Sequence, residues 1–410
     1  MKLFLMFFLF LFAGCSFNSN LNEIKVNKEV DVNLLVYMAA DNNLERFAIQ
    51  NILDMKKNGS SSNLNIIVLL DRSPGYDKSF GDWADTRVFR LSKYNTLEED
   101  LIYSYGELDM TSCDTLGNFL SFCDHFFPAK KTILSIWSHG TGVFDDGIII
   151  DNAMESRGRA VICDYTTGYD SSMSINNLSI TLNEFVNERE KKIDILLFDA
   201  CLMQMIEICW ELQSVASVII ASQGALSGNG FDYDALITII DKEGDLDVIN
   251  DSIDIVNSFW LFYKDNVFDS SCSALNMYTF SKVKEQFISW TYCLKQDIEK
   301  IKVIRGNQYS YSDLYTEFID LNSLLDSILE NSDFSNLVHE STVKLKQLLS
   351  ELIIANKVTN SYFNKLHGLS INFPKTKEEL NYYIKDYEVN NLLNIYKESF
   401  FDEIIIELNI

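Results

Sequence analysis

The stretch LLFDACLMQMIE (196–207) joins a buried strand to the start of a helix. Its first half belongs to the apolar run IDILLFDAC (193–201), which is typical of a strand covered on both faces. The residues that follow have helical spacing and predict a helix over 202–215. Cys201 therefore stands where a strand ends and a helix begins, and Asp199 precedes it by two positions.

Other apolar runs alternate with helical segments in the first part of the chain. They predict an α/β fold with a mostly parallel central sheet covered by helices on both faces. The predicted strands are 33–41, 65–72, 86–93, 131–140, 193–201 and 217–224, and the predicted helices are 42–57, 114–127, 179–190 and 202–215. The later part is mostly helical, including 340–356, with candidate strands at 272–280 and 367–374. We assign residues 31–245 to the core and residues 246–410 to a helical extension that completes the fold.

Composition and charge limit the class of protein. The 410 residues are 47% hydrophobic and carry a formal net charge of -25. Such a chain is globular rather than disordered, and its negative charge would repel phosphates, so it is a poor candidate for a nucleic-acid-binding protein. Neutral or basic partners are favoured instead.

The first fifteen residues have the features of a bacterial export signal. Lys2 precedes an unbroken apolar run over 3–12, which is too short to span a bilayer but suits the core of a signal peptide. Two small residues then precede Cys15, an order that resembles a lipobox, in which the cysteine is lipidated and cleavage occurs before it. We expect a membrane lipoprotein at the cell surface or in the periplasm, with 16–30 as a polar tether. The alternative is an ordinary secretory leader cleaved nearby.

Seven cysteines follow Cys15, and none of them forms a CxxC pair. An odd number without this spacing argues against a disulfide framework and against a zinc cluster in an exported chain. We therefore expect most of these cysteines to be small buried residues.

Two predicted strands end in reactive side chains. His139 lies in IWSHGTG (136–142) at the end of one strand, and Cys201 ends another. Functional groups of open parallel sheets lie beyond the carboxyl ends of the strands, so we expect the two residues to meet. A helix N-terminus at Cys201 would lower the pKa of its thiol, and His139 would accept the thiol proton. The backbone N–H groups of Gly140 and Cys201 are the candidate oxyanion hole.

Less specific interpretations apply to the same residues. A lone buried cysteine after a strand is usually a packing residue, and a lone His-Gly pair is usually a turn. A papain-like order would instead pair Cys201 with the downstream His367, although the papain-type signature around the cysteine is missing.

Five segments, in this order, resemble the clostripain family of cysteine peptidases, which belongs to the same clan as caspases, gingipains and legumain. They are VYMAADNNLE (36–45), WSHGTG (137–142), FDACLMQMIE (198–207), ASQGALSGNGFDY (221–233) and HGLSINFP (367–374). The resemblance covers the chain from about residue 30 to its end. It implies a caspase-like α/β/α sandwich and an endopeptidase in which His139 and Cys201 form a catalytic dyad.

The resemblance also implies cleavage after arginine and, less often, after lysine. Asp199 and Cys201 point to the same side of a strand, and a carboxylate beside the nucleophile can pair with a guanidinium, so Asp199 is the candidate substrate-binding residue. A helix N-cap or a buried structural ion pair is its alternative role. The loop over 223–232 lacks the acidic residues that family members often carry there, with Asn229 at one such place and Asp232 as a candidate replacement.

Family members are zymogens that cut themselves between the histidine and the cysteine, which implies self-processing in the segment 145–168. Arg157 and Arg159, in the polar stretch ESRGRAV (155–161), are the candidate cleavage positions. The alternative is that two arginines in a solvated loop have no role.

The dyad chemistry requires no cofactor, but some family members depend on calcium, so calcium is left open. Asp145, Asp146 and Asp151 are suggestive, but they do not form an EF-hand pattern. The sequence therefore assigns no metal ligand.

The expected partners are polypeptide substrates with basic residues and, through a lipid on Cys15, the membrane. The alternative function is that of a non-catalytic surface lipoprotein, which uses the fold to bind a partner or peptide. The presence of both His139 and Cys201 argues against it.

Overall fold

A computed structural model describes residues 24–143, 148–149, 156–157, 161–166, 171–242, 245–265, 270–308, 316–359, 365–376, 379 and 393–409. Cys15, Asp145, Asp146, Asp151 and Arg159 lie outside the described residues. None of the helices in the described part is long and apolar enough to cross a bilayer. The seven described cysteines are not joined in disulfides, and four of them are buried.

A nine-stranded sheet forms the centre of the molecule. Its strands, in spatial order, are β14 (Ile353–Val358), β12 (Ser271–Asn276), β11 (Ala216–Ala221), β10 (Ile193–Asp199), β5 (Ala129–Trp137), β1 (Val30–Ala40), β2 (Leu64–Arg72), β3 (Thr86–Arg90) and β4 (Leu101–Gly106). The five central strands, from β11 to β2, are mutually parallel. The two strands at each edge are antiparallel to their neighbours.

Twelve α-helices of the described residues surround this sheet. They are α1 (Glu45–Asn58), α2 (Cys113–Phe126), α3 (Ile175–Arg189), α4 (Ile206–Glu211), α5 (Tyr233–Ile240), α6 (Val248–Tyr263), α7 (Phe280–Leu294), α8 (Ile298–Asn307), α9 (Leu321–Glu330), α10 (Asn336–Leu352), α11 (Asn394–Glu398) and α12 (Phe401–Asn409). Two short 3₁₀ turns, Met277–Thr279 and Lys295–Asp297, flank α7.

Three short antiparallel pairs lie outside the central sheet. They are β6 (Ile148–Ile149) with β7 (Ser156–Arg157), β8 (Val161–Asp164) with β9 (Ser171–Met173), and β13 (Phe318–Asp320) with β15 (Ser370–Asn372). The candidate strand over 367–374 is therefore β15, which pairs outside the main sheet.

The sheet separates two hydrophobic cores because side chains alternate along each strand. In β1, Leu35 and Tyr37 belong to one core, whereas Leu34 and Val36 belong to the other. The second core is covered by α1, α5 and α6, and most of the remaining helices pack into the first. The predicted α/β/α sandwich with a mostly parallel central sheet is confirmed.

Several helix predictions have wrong ends, and the helix predicted over 179–190 begins earlier, at Ile175. The helix predicted over 202–215 spans only Ile206–Glu211, and it starts late because Leu202 has a left-handed φ of 65° in a turn. The helix predicted over 340–356 ends at Leu352, and the chain continues as β14 at the edge of the sheet. The half-buried residues of β14 give no clear period, so only pairing with β12 defines the strand.

Candidate active site

The register of two neighbouring strands places His139 beside Cys201. Strands β5 and β10 are parallel, and Trp137 lies opposite Asp199. His139 and Cys201 each follow these paired residues by two positions, so both lie at the same edge of the sheet. This is the carboxyl edge, where the functional groups of parallel sheets are expected.

Gly140 allows the two segments to touch. A Cβ atom added at this position would lie 2.4 Å from the carbonyl oxygen of Cys201 and 3.1 Å from its nitrogen. Only glycine fits such a close approach of backbone to backbone. The two candidate oxyanion donors, the N–H groups of Gly140 and Cys201, are therefore on adjacent segments.

The imidazole of His139 is oriented by Asn43. Nε2 of His139 lies 2.7 Å from Oδ1 of Asn43. An amide oxygen only accepts hydrogen bonds, so Nε2 carries the hydrogen and Nδ1 is left to accept a proton. Burial lowers the pKa of His139 to about 4, so the ring is neutral at pH 7 and can act as a base.

Sequence analysis did not identify Asn43 as a site residue. It lies in VYMAADNNLE (36–45), just beyond the end of β1, and meets a histidine 96 positions away. The only available signal was its place after a strand that neighbours β5, in a segment that resembles the clostripain family.

The environment of Cys201 differs from the prediction. The predicted helix N-terminus at Cys201 is absent, since α4 begins at Ile206 and Cys201 lies in a turn. Burial raises the pKa of the thiol, although the Leu226 N–H, which donates to Sγ at 3.2 Å, opposes this rise. The resting thiol is therefore protonated at neutral pH, and its activation needs a base. In the described residues, no hydrogen bond joins His139 and Cys201, as is common before substrate binds.

Asp199 is buried, two residues before Cys201. Its Oδ2 accepts hydrogen bonds from the N–H of Phe231 at 3.2 Å and from the hydroxyl of Tyr233 at 3.1 Å. Burial raises the pKa of this carboxyl to about 7. Neither the helix N-cap role nor the ion-pair role applies in the described structure, because the N-cap of α4 is Met205 and no basic side chain pairs with Asp199.

One loop, residues 222–232, contacts both Asp199 and Cys201. Phe231 binds Asp199, and Leu226 binds Cys201. A Cβ added to Gly230 would lie 2.4 Å from Oδ2 of Asp199, so this glycine lets the loop close over the carboxylate.

The position of Asn229 within this loop is set by its backbone. Nε1 of Trp137 donates to Asn51 at 2.9 Å, and Nδ2 of Asn51 donates to the carbonyl oxygen of Asn229 at 2.9 Å. The Asn229 side chain is exposed. The carboxylate of Asp232 accepts the N–H of Ala235 at 3.1 Å as a helix cap.

His367 has a different partner from the one in a papain-like pairing. Its Nδ1 lies 2.9 Å from Oδ1 of Asp320, and its backbone N–H donates to Oδ2 of the same residue at 2.7 Å. The hydrogen bond to Asp320 raises the pKa of His367. The imidazole is thus paired with a carboxylate near β15, outside the sheet that carries Cys201.

Comparisons with known proteins agree with this arrangement. The model of the clostripain family matches residues 36–407. Clostripain of Hathewaya histolytica is 25% identical over 429 aligned positions, which cover 89% of this chain and 80% of that protein.

Two solved structures have the same fold. A secreted C11 cysteine protease from Bacteroides thetaiotaomicron, in complex with an irreversible peptide inhibitor, is 20% identical, with a TM-score of 0.67 over 90% of this chain and 99% of its own. An inactive zymogen C11 protease from Parabacteroides distasonis is 19% identical, with a TM-score of 0.61 over 91% and 99%. With the family match over residues 36–407, the chain belongs to the clostripain family and is a cysteine-type endopeptidase.

Proposed function

We propose that this endopeptidase cleaves polypeptides after basic residues, arginine before lysine, with His139 and Cys201 as its catalytic dyad. The observation that carries the proposal is the register of β5 and β10, which places an imidazole, a thiol and a buried carboxylate at one edge of the sheet. Each of the three has chemistry that the reaction needs.

Before the reaction, both the thiol of Cys201 and the imidazole of His139 would be neutral. Nδ1 of His139 takes the thiol proton as the sulfur of Cys201 attacks the scissile carbonyl carbon. The N–H groups of Gly140 and Cys201 stabilise the oxyanion, and His139 returns the proton to the leaving amine. Water, deprotonated by His139, then hydrolyses the thioester and restores the thiol. The hydrogen bond to Asn43 keeps the ring in the tautomer that this sequence of steps requires.

Asp199 would recognise the basic residue before the scissile bond. In the described residues both of its hydrogen bonds end on Oδ2, so Oδ1 is left for a guanidinium or an ammonium group. A cation at Oδ1 favours the ionised carboxylate and lowers its raised pKa. The net charge of -25 further favours basic substrates.

Asp199→Asn tests this specificity. With protein that lacks residues 1–15, we expect the hydrolysis of fluorogenic peptides to follow the order Arg, Lys, then Asn, Asp or Ala. The substitution removes the charge, so kcat/KM for the arginine peptide should fall by on the order of 100-fold, because a buried cation then lacks its partner. The wild-type kcat/KM for this peptide should also fall below about pH 7, where Asp199 becomes protonated.

Tyr233→Phe is the matched control for Asp199→Asn. It removes one hydrogen bond to Oδ2 and keeps the carboxylate, so the loss should be less than about 10-fold. A wild-type preference for a neutral residue, or equal losses in both variants, would contradict the role of Asp199.

We also propose that the chain is activated by self-cleavage between the two catalytic residues. Support comes from the likeness to the Parabacteroides distasonis zymogen and from two arginines in this segment. The backbone of Arg157 pairs with Ile148 in the β6–β7 hairpin, and Arg159 lies outside the described residues.

Incubation of the purified chain should yield two fragments with an end at Arg157 or Arg159, measured by intact mass. Cys201→Ala protein should stay whole, and an Arg157→Gln/Arg159→Gln double variant should be cut far more slowly. A single intact band from protein that hydrolyses peptides would refute self-processing.

Export with a lipid anchor on Cys15 completes the proposal. Support comes from three features of residues 1–15, in this order: the charged Lys2, an apolar run, and small residues before the cysteine. A similar protease from Bacteroides thetaiotaomicron is described as secreted. The substrates would then be extracellular or periplasmic polypeptides.

A further inference from the structure

Four carboxylates from separate elements meet near the carboxyl edge of the sheet. Asp41 directly follows β1, Asp71 lies near the end of β2, Glu107 follows β4, and Asp164 ends β8. One oxygen from each of the four lies within 4.8 Å of the others. Glu107 is exposed, and the three aspartates are buried.

The electrostatics of this group are unfavourable without a cation. The charged groups that act on Asp71 are Glu107, Asp164 and Asp41, all of them acidic. Buried carboxylates are normally paired with basic groups or bound to metals.

Two oxygens of the group have no hydrogen-bond donor within the described structure. They are Oδ1 of Asp41, which is 1% exposed as a residue, and Oδ2 of Asp71, which is 0% exposed. The other oxygen of each carboxylate is engaged. Oδ2 of Asp41 accepts the N–H of Thr166 at 2.7 Å, and Oδ1 of Asp71 accepts the hydroxyl of Thr86 at 2.9 Å. Each carboxylate is therefore held in place while one buried oxygen lacks a partner.

We propose that Asp41, Asp71, Glu107 and Asp164 bind a divalent cation of the calcium class. A hard cation would satisfy the two unpartnered oxygens and offset the repulsion among four negative groups. The four members offer only oxygen, whereas zinc and copper favour nitrogen or sulfur ligands. Four carboxylates also exceed the one or two that usually hold magnesium, which favours calcium.

The site is connected to the dyad through the residues that follow Asp41. Nδ2 of Asn42 donates to the carbonyl oxygen of Cys163 at 3.1 Å, next to Asp164. Asn43, the next residue, orients His139. A bound cation would therefore fix the end of β1 against β8 and hold Asn43 in position. This consequence rests on the proposed role of His139, whereas the binding site itself does not.

The direct test is calorimetric titration of calcium into Cys201→Ala protein freed of metal with a chelator. This variant avoids self-cleavage and makes the result independent of catalysis. We expect one calcium ion per chain, weaker binding of magnesium, and an unfolding temperature that rises with calcium concentration. Absence of saturable binding, or a stronger response to zinc, would overturn the proposal.

Asp71→Asn, added to the same background, separates a ligand from a merely structural residue. It should weaken calcium binding by more than about 100-fold. It should leave the unfolding temperature of the metal-free protein almost unchanged, because an asparagine oxygen can still accept the hydrogen bond from the Thr86 hydroxyl. Asp245→Asn changes an exposed aspartate and should alter neither property. Unchanged calcium affinity in Asp71→Asn would refute the site.

In the active enzyme, calcium should raise kcat/KM, and this gain should disappear in Asp71→Asn. If calcium binds the Cys201→Ala protein but does not alter hydrolysis by the active enzyme, the link through Asn43 is refuted and the site is upheld. If no peptide is hydrolysed although calcium binds, the proposed specificity fails independently of the site.

Discussion

Cys201→Ala is expected to reduce peptide hydrolysis to the background rate, and His139→Ala to lower kcat/KM by at least about 10³-fold. The physical reason lies in the resting protonation states. Burial raises the pKa of the Cys201 thiol and lowers that of His139 to about 4. A neutral thiol is a poor nucleophile, so the proposed mechanism depends on proton transfer to the neutral imidazole.

Initial rates with the best peptide of the panel would measure both losses. Cys113→Ala is a matched control, since Cys113 is also a half-buried free thiol and its Sγ lies near the carbonyl oxygen of Asn177. That variant should keep its activity, and a thiol-blocking reagent should inactivate it as it does the wild type. Hydrolysis that survives Cys201→Ala, with thermal unfolding unchanged in all variants, would assign the nucleophile elsewhere.

The largest effect on stability is expected from Glu45→Ala, which should lower the free energy of unfolding by about 3–5 kcal/mol. Nε of Arg72 lies 2.6 Å from Oε1 of Glu45, and both side chains are fully buried. The guanidinium also donates to the carbonyl oxygens of Ser79 and Gly81 at 3.2 and 3.0 Å. Loss of the carboxylate leaves the buried guanidinium with only Asp77, at 4.0 Å and partly exposed, as a counter-charge.

Urea unfolding would measure this loss as a shift of the midpoint at constant slope. Lys78→Ala is the matched control, because it breaks the exposed pair with Asp82 in the segment that Arg72 holds, and should cost less than about 1 kcal/mol. The double variant Glu45→Leu/Arg72→Met should be more stable than Glu45→Ala, since no buried charge remains unpaired. Equal midpoints for Glu45→Ala and Lys78→Ala would contradict the importance of the buried pair.

The central strands could be predicted because their side chains face two cores. Runs such as 193–201 and 65–72 are almost wholly apolar, and they form β10 and β2 with small differences at their ends. The meeting of His139 and Cys201 could be predicted for the same reason, since the carboxyl ends of neighbouring parallel strands lie at one edge.

The start of the helix after Cys201 could not be predicted in this way. Helical spacing of apolar residues extends back to residue 202, but Leu202 adopts a left-handed φ and Gln204 pairs through its backbone with Ser222. Contacts with a neighbouring loop overrode the local pattern, so the helix N-terminus, one of the two expected sources of thiol activation, is absent at Cys201.

Local sequence by itself determined the α/β class, the order of the buried strands and the placement of His139 and Cys201 at strand ends, because burial on two faces leaves a readable pattern of apolar residues. Tertiary structure alone decided that Asn43 orients His139, that Gly230 closes a loop over Asp199, and that Asp41, Asp71, Glu107 and Asp164 converge. These contacts join polar residues from distant segments. Their geometry depends on strand register and loop packing, for which the spacing of residues along the chain carries no signal.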